Sequence, residues 1–231
     1  MRLVAMPEPA VPAFAGEFET HVTVGCDESG LARLDVWAEQ AGFKVTHILL
    51  GRGRVRSQPM LTLMGTGTLP DQRDLAASIV RDLGLAGFRT TRVKVEAAPW
   101  NIGVPQDDAA ALQLGGEFYF EHHVKLALGV GVDLEVLAAL VIPHGAHLSW
   151  NARRTLSSGT DERFVTQRCH GVGLPRAGAQ LKDLCGELRE HGYRILSTVQ
   201  EFVVFDSDAT LDAGWIEQSA PIAWLHTGGD A

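Results

Sequence analysis

The stretch Phe120-Glu121-His122-His123-Val124-Lys125-Leu126 decides the reading of this chain, because Phe18-Glu19-Thr20-His21-Val22-Thr23-Val24 says nearly the same thing far earlier. In an extended strand, alternate side chains share a face. Glu121, His123 and Lys125 therefore project together, and so do Glu19, His21 and Thr23. Between them, Thr20, Val22 and Val24 in one copy and His122, Val124 and Leu126 in the other face the opposite way and are mostly apolar. The two copies imply an internal duplication.

Outward from the first copy, Asp27-Glu28-Ser29 suits a helix start, Leu31, Leu34, Val36, Trp37 and Ala41 follow at helical spacing, and Gly42 ends the run. Residues 43–50 and 60–64 read as strands joined through Gly51-Arg52-Gly53-Arg54. Pro70-Asp71 opens a second helix carrying Leu75, Ile79, Leu83 and Leu85, and a strand at 89–97 follows Gly87. The same order returns after a linker rich in Pro, Gly and Asp: strand 117–128, helix 134–141, strands 147–151 and 162–169, a helix opened by Pro175, and strand 193–205.

Two β-α-β-β-α-β units with right-handed crossovers predict an α+β chain made by tandem duplication of a ferredoxin-like unit. The expected boundaries are an irregular lead-in at 1–16, with Pro7, Pro9 and Pro12, repeat 1 at 17–99, a linker at 100–116, repeat 2 at 117–206, and a tail at 207–231. Trp215, Ile216, Ile222, Trp224 and Leu225 suggest that this tail docks on the body.

Of 231 residues 45% are hydrophobic, enough for a sizeable core. No apolar stretch approaches the ~20 residues needed to span a bilayer, and the first residues lack a signal peptide's apolar run, which predicts a cytoplasmic protein. Cys26, Cys169 and Cys185 form no Cys-x-x-Cys pair and read as buried thiols. A net charge of −8 argues against a broad nucleic-acid or anionic-membrane surface. Ferredoxin-like sheets often pair through an open face, so a homo-oligomer stays open.

His21-Val22-Thr23-Val24 and His123-Val124-Lys125-Leu126, one in each half, resemble the 2H phosphoesterase superfamily, in which two His-x-Ser/Thr strands line one cleft. The resemblance implies His21 and His123 as general acid and base, with Thr23 on a phosphate oxygen. Lys125 stands where the second hydroxyl belongs, and a lysine also binds phosphate. The expectation is thus a hydrolase that uses histidine acid/base chemistry, without a cofactor, on a small anionic, phosphorylated substrate. Glu121 or Glu201 would orient a histidine, while Lys125, Arg154 and either Arg163 or Arg168 would attract the anion. Repeat 2 is the better equipped, since His147 shares its strand face with Ser149 and Asn151, whereas His47 shares its face with Leu49.

A second reading uses the same residues for a metal. In the ferredoxin-like strand order, one strand separates those bearing His123 and His147, roughly 10 Å at ~4.8 Å per neighbour. With Glu201 they would form a two-His, one-carboxylate set suited to iron, zinc or manganese. A third reading is a non-catalytic ligand-binding or oligomerisation module. Residue by residue there are structural alternatives: Glu121, His123 and Lys125 as a solvated sheet face, and His122 as a packed core histidine.

Overall fold

The computed structural model describes residues 13–129, 131–153 and 161–216. The first unit comprises β1 (Ala15–Gly25), α1 (Glu28–Ala41), β2 (Lys44–Leu50), β3 (Ser57–Thr68), α2 (Leu69–Leu85) and β4 (Arg89–Ala97). A short helix, α3 (Asp108–Leu114), lies in the stretch read as linker. The second unit comprises β5 (Tyr119–Leu128), α4 (Leu134–Val141), β6 (Ala146–Asn151), β7 (Asp161–His170), α5 (Leu174–Glu190) and β8 (Arg194–Asp206). The chain is thus a tandem duplication of a ferredoxin-like α+β unit, as its two polar-row strands predict.

Local chemistry sets the helix ends. Asp27 caps α1 by accepting from the Gly30 N–H, and Gly42 closes it at φ 77°, a left-handed conformation that glycine adopts without steric cost. Thr68 and Asp71 form a reciprocal capping box at the start of α2.

The polar faces of the two sheets line one interior, which the sheets enclose between them. They join edge to edge. Ile48, Leu49 and Leu50 of β2 pair with Asn151, Trp150 and Ser149 of β6, and Lys94 to Ala97 of β4 pair with Asp206 to Phe202 of β8. The result is one closed antiparallel barrel in the order β1-β3-β2-β6-β7-β5-β8-β4. Closure has a physical reason: each four-stranded sheet has two edges with unpaired backbone groups, and joining them satisfies both.

The helices pack on the outside. Val22, Val24, Leu34, Leu61, Ile79 and Leu83 form the apolar layer of unit 1, and Val124, Leu126, Leu137, Val141, Leu184 and Leu188 that of unit 2. A third cluster containing Phe14, Phe18, Phe120 and Phe202 fills the seam between them. Since the even-numbered residues of β5 lie in this outer layer, the odd-numbered polar row is turned into the barrel.

One end of the barrel is stoppered by a 3₁₀ turn, Ala209–Asp212, and by Trp215. The Trp215 indole donates to the Leu148 carbonyl at 2.9 Å, and Arg52 Nε donates to the Trp215 carbonyl at 3.1 Å. Pro7, Pro9, Pro12, Ile222, Trp224 and Leu225 lie outside the described residues. Among the described residues, no helix is long and apolar enough to cross a membrane.

Candidate functional site

The duplication becomes chemistry inside the barrel. In unit 1, register places Glu19 opposite Glu96 and His21 opposite Thr62; in unit 2, it places Glu121 opposite Glu201 and His123 opposite Thr166. His21 Nδ1 lies 3.2 Å from the Thr62 hydroxyl, and His123 Nδ1 lies 3.0 Å from the Thr166 hydroxyl. In both copies the opposite ring nitrogen turns to carboxylates. His21 Nε2 is 2.9 Å from Glu96 and 3.5 Å from Glu19, and His123 Nε2 is 3.3 Å from Glu121 and 3.8 Å from Glu201. Each unit therefore supplies one histidine, one threonine and two glutamates from three adjacent strands.

A chain of buried ion pairs links the two copies to the stopper. Arg92 clasps Asp206 with two parallel hydrogen bonds and reaches Asp212 at 2.9 Å. Arg168 joins Asp212 to Glu121, each at 2.6 Å. Lys94 then bridges Glu121 at 2.6 Å and Glu96 at 2.8 Å. Gln58 donates to the remaining oxygen of Asp212 at 3.0 Å.

Burial alone would raise the Glu121 carboxyl, but Lys94 and Arg168 outweigh it and hold it well below the usual range. Glu96 is likewise raised by burial and brought down by Lys94 and His21, to about 2. Glu201 goes the other way. Burial, and then repulsion from Glu96 and Glu19, pushes it up to about 10, so it keeps its proton at neutral pH.

These groups border a cavity of about 320 Å³, lined among others by Glu19, His21, Thr23, Glu121, His123, Ser149 and Glu201. Its floor is Asp212 and Trp215, and its rim includes exposed Lys44 and Val199, the latter 46% accessible. An eight-stranded barrel has room for its own side chains and one small ligand, which matches this volume.

His21, His123, Glu121 and Glu201 are brought together; Thr23 and Ser149 line the same cavity. The described cations expected to hold an anion already have partners. Lys125 is held by Glu162 at 2.7 Å, and Arg168 is committed to Glu121 and Asp212. Arg163 pairs with Asp161 and stacks over Trp150, and Asn151 accepts the Arg153 N–H within a turn. Arg154 lies outside the described residues. His147 faces inward on the row of Thr166 and His123 but meets Arg52 at 3.4 Å and the Trp215 ring, so it does not join the set of His123 and Glu201. Glu96, from the other unit, takes that place. The match of His47 with His147 also dissolves: Thr62 pairs with Lys44 in unit 1 where Thr166 pairs with His147 in unit 2. His122 is a buried core histidine on Gln167, 2.8 Å away.

Thr62, Thr166, Lys94 and Arg92 carried no assigned role in the sequence reading. Arg92-x-Lys94-x-Glu96 is a strict polar alternation on the closing strand, and that pattern was the available signal.

No protein-family profile matches the sequence, and no curated protein matches it. Among solved structures the chain is similar to the acetolactate synthase small subunit of Thermotoga maritima, with 10% identity over 82% of this chain and 95% of that one, at a TM-score of 0.28. It is also similar to chlorite dismutase of Candidatus Nitrospira defluvii, with 16% identity over 86% and 93% of the two chains, at a TM-score of 0.26. Neither is a 2H phosphoesterase. The expected membership in that superfamily, and with it phosphoester hydrolysis by His21 and His123, is withdrawn: no family profile supports it, and Lys125, at the position of the second hydroxyl, is held by Glu162. The geometry agrees: Lys125 and Arg168, two of the cations meant to bind phosphate, are already paired with Glu162 and with Glu121 and Asp212.

Proposed function

We propose that this chain is a small-molecule-binding barrel whose ligand enters at the rim near Lys44 and Val199 and presents a compact positive charge to Glu19 and Glu201, beside His21 and His123. The observation that carries this reading is the charge balance of the interior. Five carboxylates, those of Glu19, Glu96, Glu121, Asp206 and Asp212, face three permanent cations, Arg92, Lys94 and Arg168, and Glu201, protonated at neutral pH, adds a sixth once a cation displaces its proton. Lys125 is balanced by Glu162, and Lys44 sits in solvent at the rim. A low-dielectric interior so short of positive charge favours a cationic guest over an anion.

Calorimetric titration of the full chain with guanidinium, putrescine, divalent metal ions and inorganic phosphate tests this. At least one cation should bind at one per chain, and both Glu201→Gln and the rim-blocking Val199→Trp should weaken it. Phosphate should not bind. Saturable phosphate binding that Val199→Trp abolishes, or no binding of any cation at millimolar concentration, would overturn the reading.

A further inference from the structure

Within that reading, the identity of the cation can be narrowed. We propose that Glu96, His123 and Glu201 form a binding site for one divalent transition-metal ion, built across the seam between the two units. The three residues lie on the consecutive strands β4, β5 and β8, with β8 in the middle, and one ligand atom from each falls within 4.8 Å of the others. Around an ion bound at ~2.1 Å, neighbouring donors sit ~3.0–3.5 Å apart, so side-chain rotation alone closes the set.

Two further observations point to a ligand there. The Glu96 side chain is completely inaccessible, yet neither of its oxygens receives a well-directed hydrogen bond. Lys94 stands 2.8 Å from Oε1 and His21 Nε2 stands 2.9 Å from Oε2, both outside hydrogen-bonding alignment. Both contacts are ion pairs and not directed hydrogen bonds, so the Glu96 oxygens keep lone-pair capacity that a metal bond, with less stringent angular needs at oxygen, can use.

The second observation is the buttress on His123. Its Nδ1 rests on the Thr166 hydroxyl at 3.0 Å, which leaves Nε2 as the nitrogen that faces the carboxylates. Metal-bound histidines are held in this manner, with the non-ligating nitrogen donating to a fixed oxygen. Thr166, 1% exposed, is a positioning residue for that ring.

One imidazole and two carboxylates form a borderline-to-hard donor set, suited to manganese, iron(II) or zinc and less to soft copper(I). Three protein donors leave coordination positions that open toward the cavity, where His123 retains 28% side-chain exposure. The set differs from the pairing of His123 with His147, because the carboxylate that completes it comes from the other repeat.

The test uses the full chain, stripped with chelator and dialysed, then titrated separately with Zn²⁺ and Mn²⁺, with Mg²⁺ for comparison. One equivalent of Zn²⁺ or Mn²⁺ per chain is expected, with His123→Ala and Glu201→Gln each weakening it about 100-fold or more. Thr166→Val should weaken it about 10- to 100-fold, and ¹⁵N NMR should show the His123 Nε2 resonance moving on Zn²⁺ addition in the unmodified chain. His191→Ala, on the exposed end of α5, should bind as the unmodified chain does. Circular dichroism identifies any variant that fails to fold, in which case Thr166→Val and the NMR shift decide. Less than a tenth of an equivalent of either metal, or binding that survives both ligand substitutions, overturns the site. Saturable guanidinium or putrescine binding without metal binding would sink this inference and leave the broader reading intact.

Discussion

Lys94 of the first unit is hydrogen-bonded to Glu121 of the second at 2.6 Å, in the interior of a barrel that neither unit could close alone. Glu121 is 2% exposed and also holds Arg168, so this contact ties the two copies of the duplication to each other and to the stopper. Removing one member leaves the other charge buried and under-compensated.

Lys94→Met should accordingly destabilise the fold by about 3–5 kcal/mol, the range for breaking a buried ion pair from one side. Denaturant unfolding would check it. A loss under about 1 kcal/mol would mean that water enters this part of the barrel.

Glu201 should make the metal-free protein less stable as pH rises. Its folded pKa, about 10, lies above its ordinary value, so between pH ~4.5 and ~10 the folded state binds the extra proton and stability falls with pH, by up to ~1.4 kcal/mol per unit. Glu201→Gln should flatten that slope in unfolding experiments run with chelator from pH 5 to 9.

Glu96 and Glu121 should act in the opposite sense in acid. Both are held below their ordinary value, so their contribution is complete above pH ~4.5 and is lost as pH falls through their folded values, about 2 for Glu96. The acid limb of the stability curve should be shallower by about one proton in Glu121→Gln.

Trp215→Ala should open the stoppered end at a cost of about 3–5 kcal/mol, as for other large-to-small changes at buried aromatics. The side chain is 5% exposed and its indole N–H is satisfied by Leu148. Chemical denaturation gives the stability change.

The two threonines should behave as copies. Thr62→Val and Thr166→Val each remove one side-chain hydrogen bond to a histidine ring and should each cost about 0.5–1.5 kcal/mol. Unequal ¹⁵N chemical-shift responses of His21 and His123 Nδ1 would show that the duplication is no longer symmetric here.

The repeated Glu-x-His strand was legible because strand periodicity is a property of the chain itself: a residue two positions on returns to the same face. That alone brought Glu121 with His123 and Glu19 with His21 to one side. Arg168 and Arg163 could not be separated without knowing strand phase, which the pairing of β7 with β5 supplies. His147 was assigned to the metal set because its strand lies two away from that of His123, which is so, and register even sets the two level across Thr166; its ring instead meets Arg52 and Trp215.

What the amino-acid sequence determined by itself is therefore the two β-α-β-β-α-β units, the ends of their helices, and which side of β1 and β5 is polar, all consequences of local spacing and capping. Only the tertiary structure decided that the two sheets close on each other, that Thr62 and Thr166 support the histidines, and that Lys94 and Arg168 are taken up by Glu96, Glu121 and Asp212 before any ligand arrives. The physical reason is range: periodicity acts over neighbouring residues, whereas a buried charge takes its character from partners on other strands, and those partners are chosen by register and barrel closure.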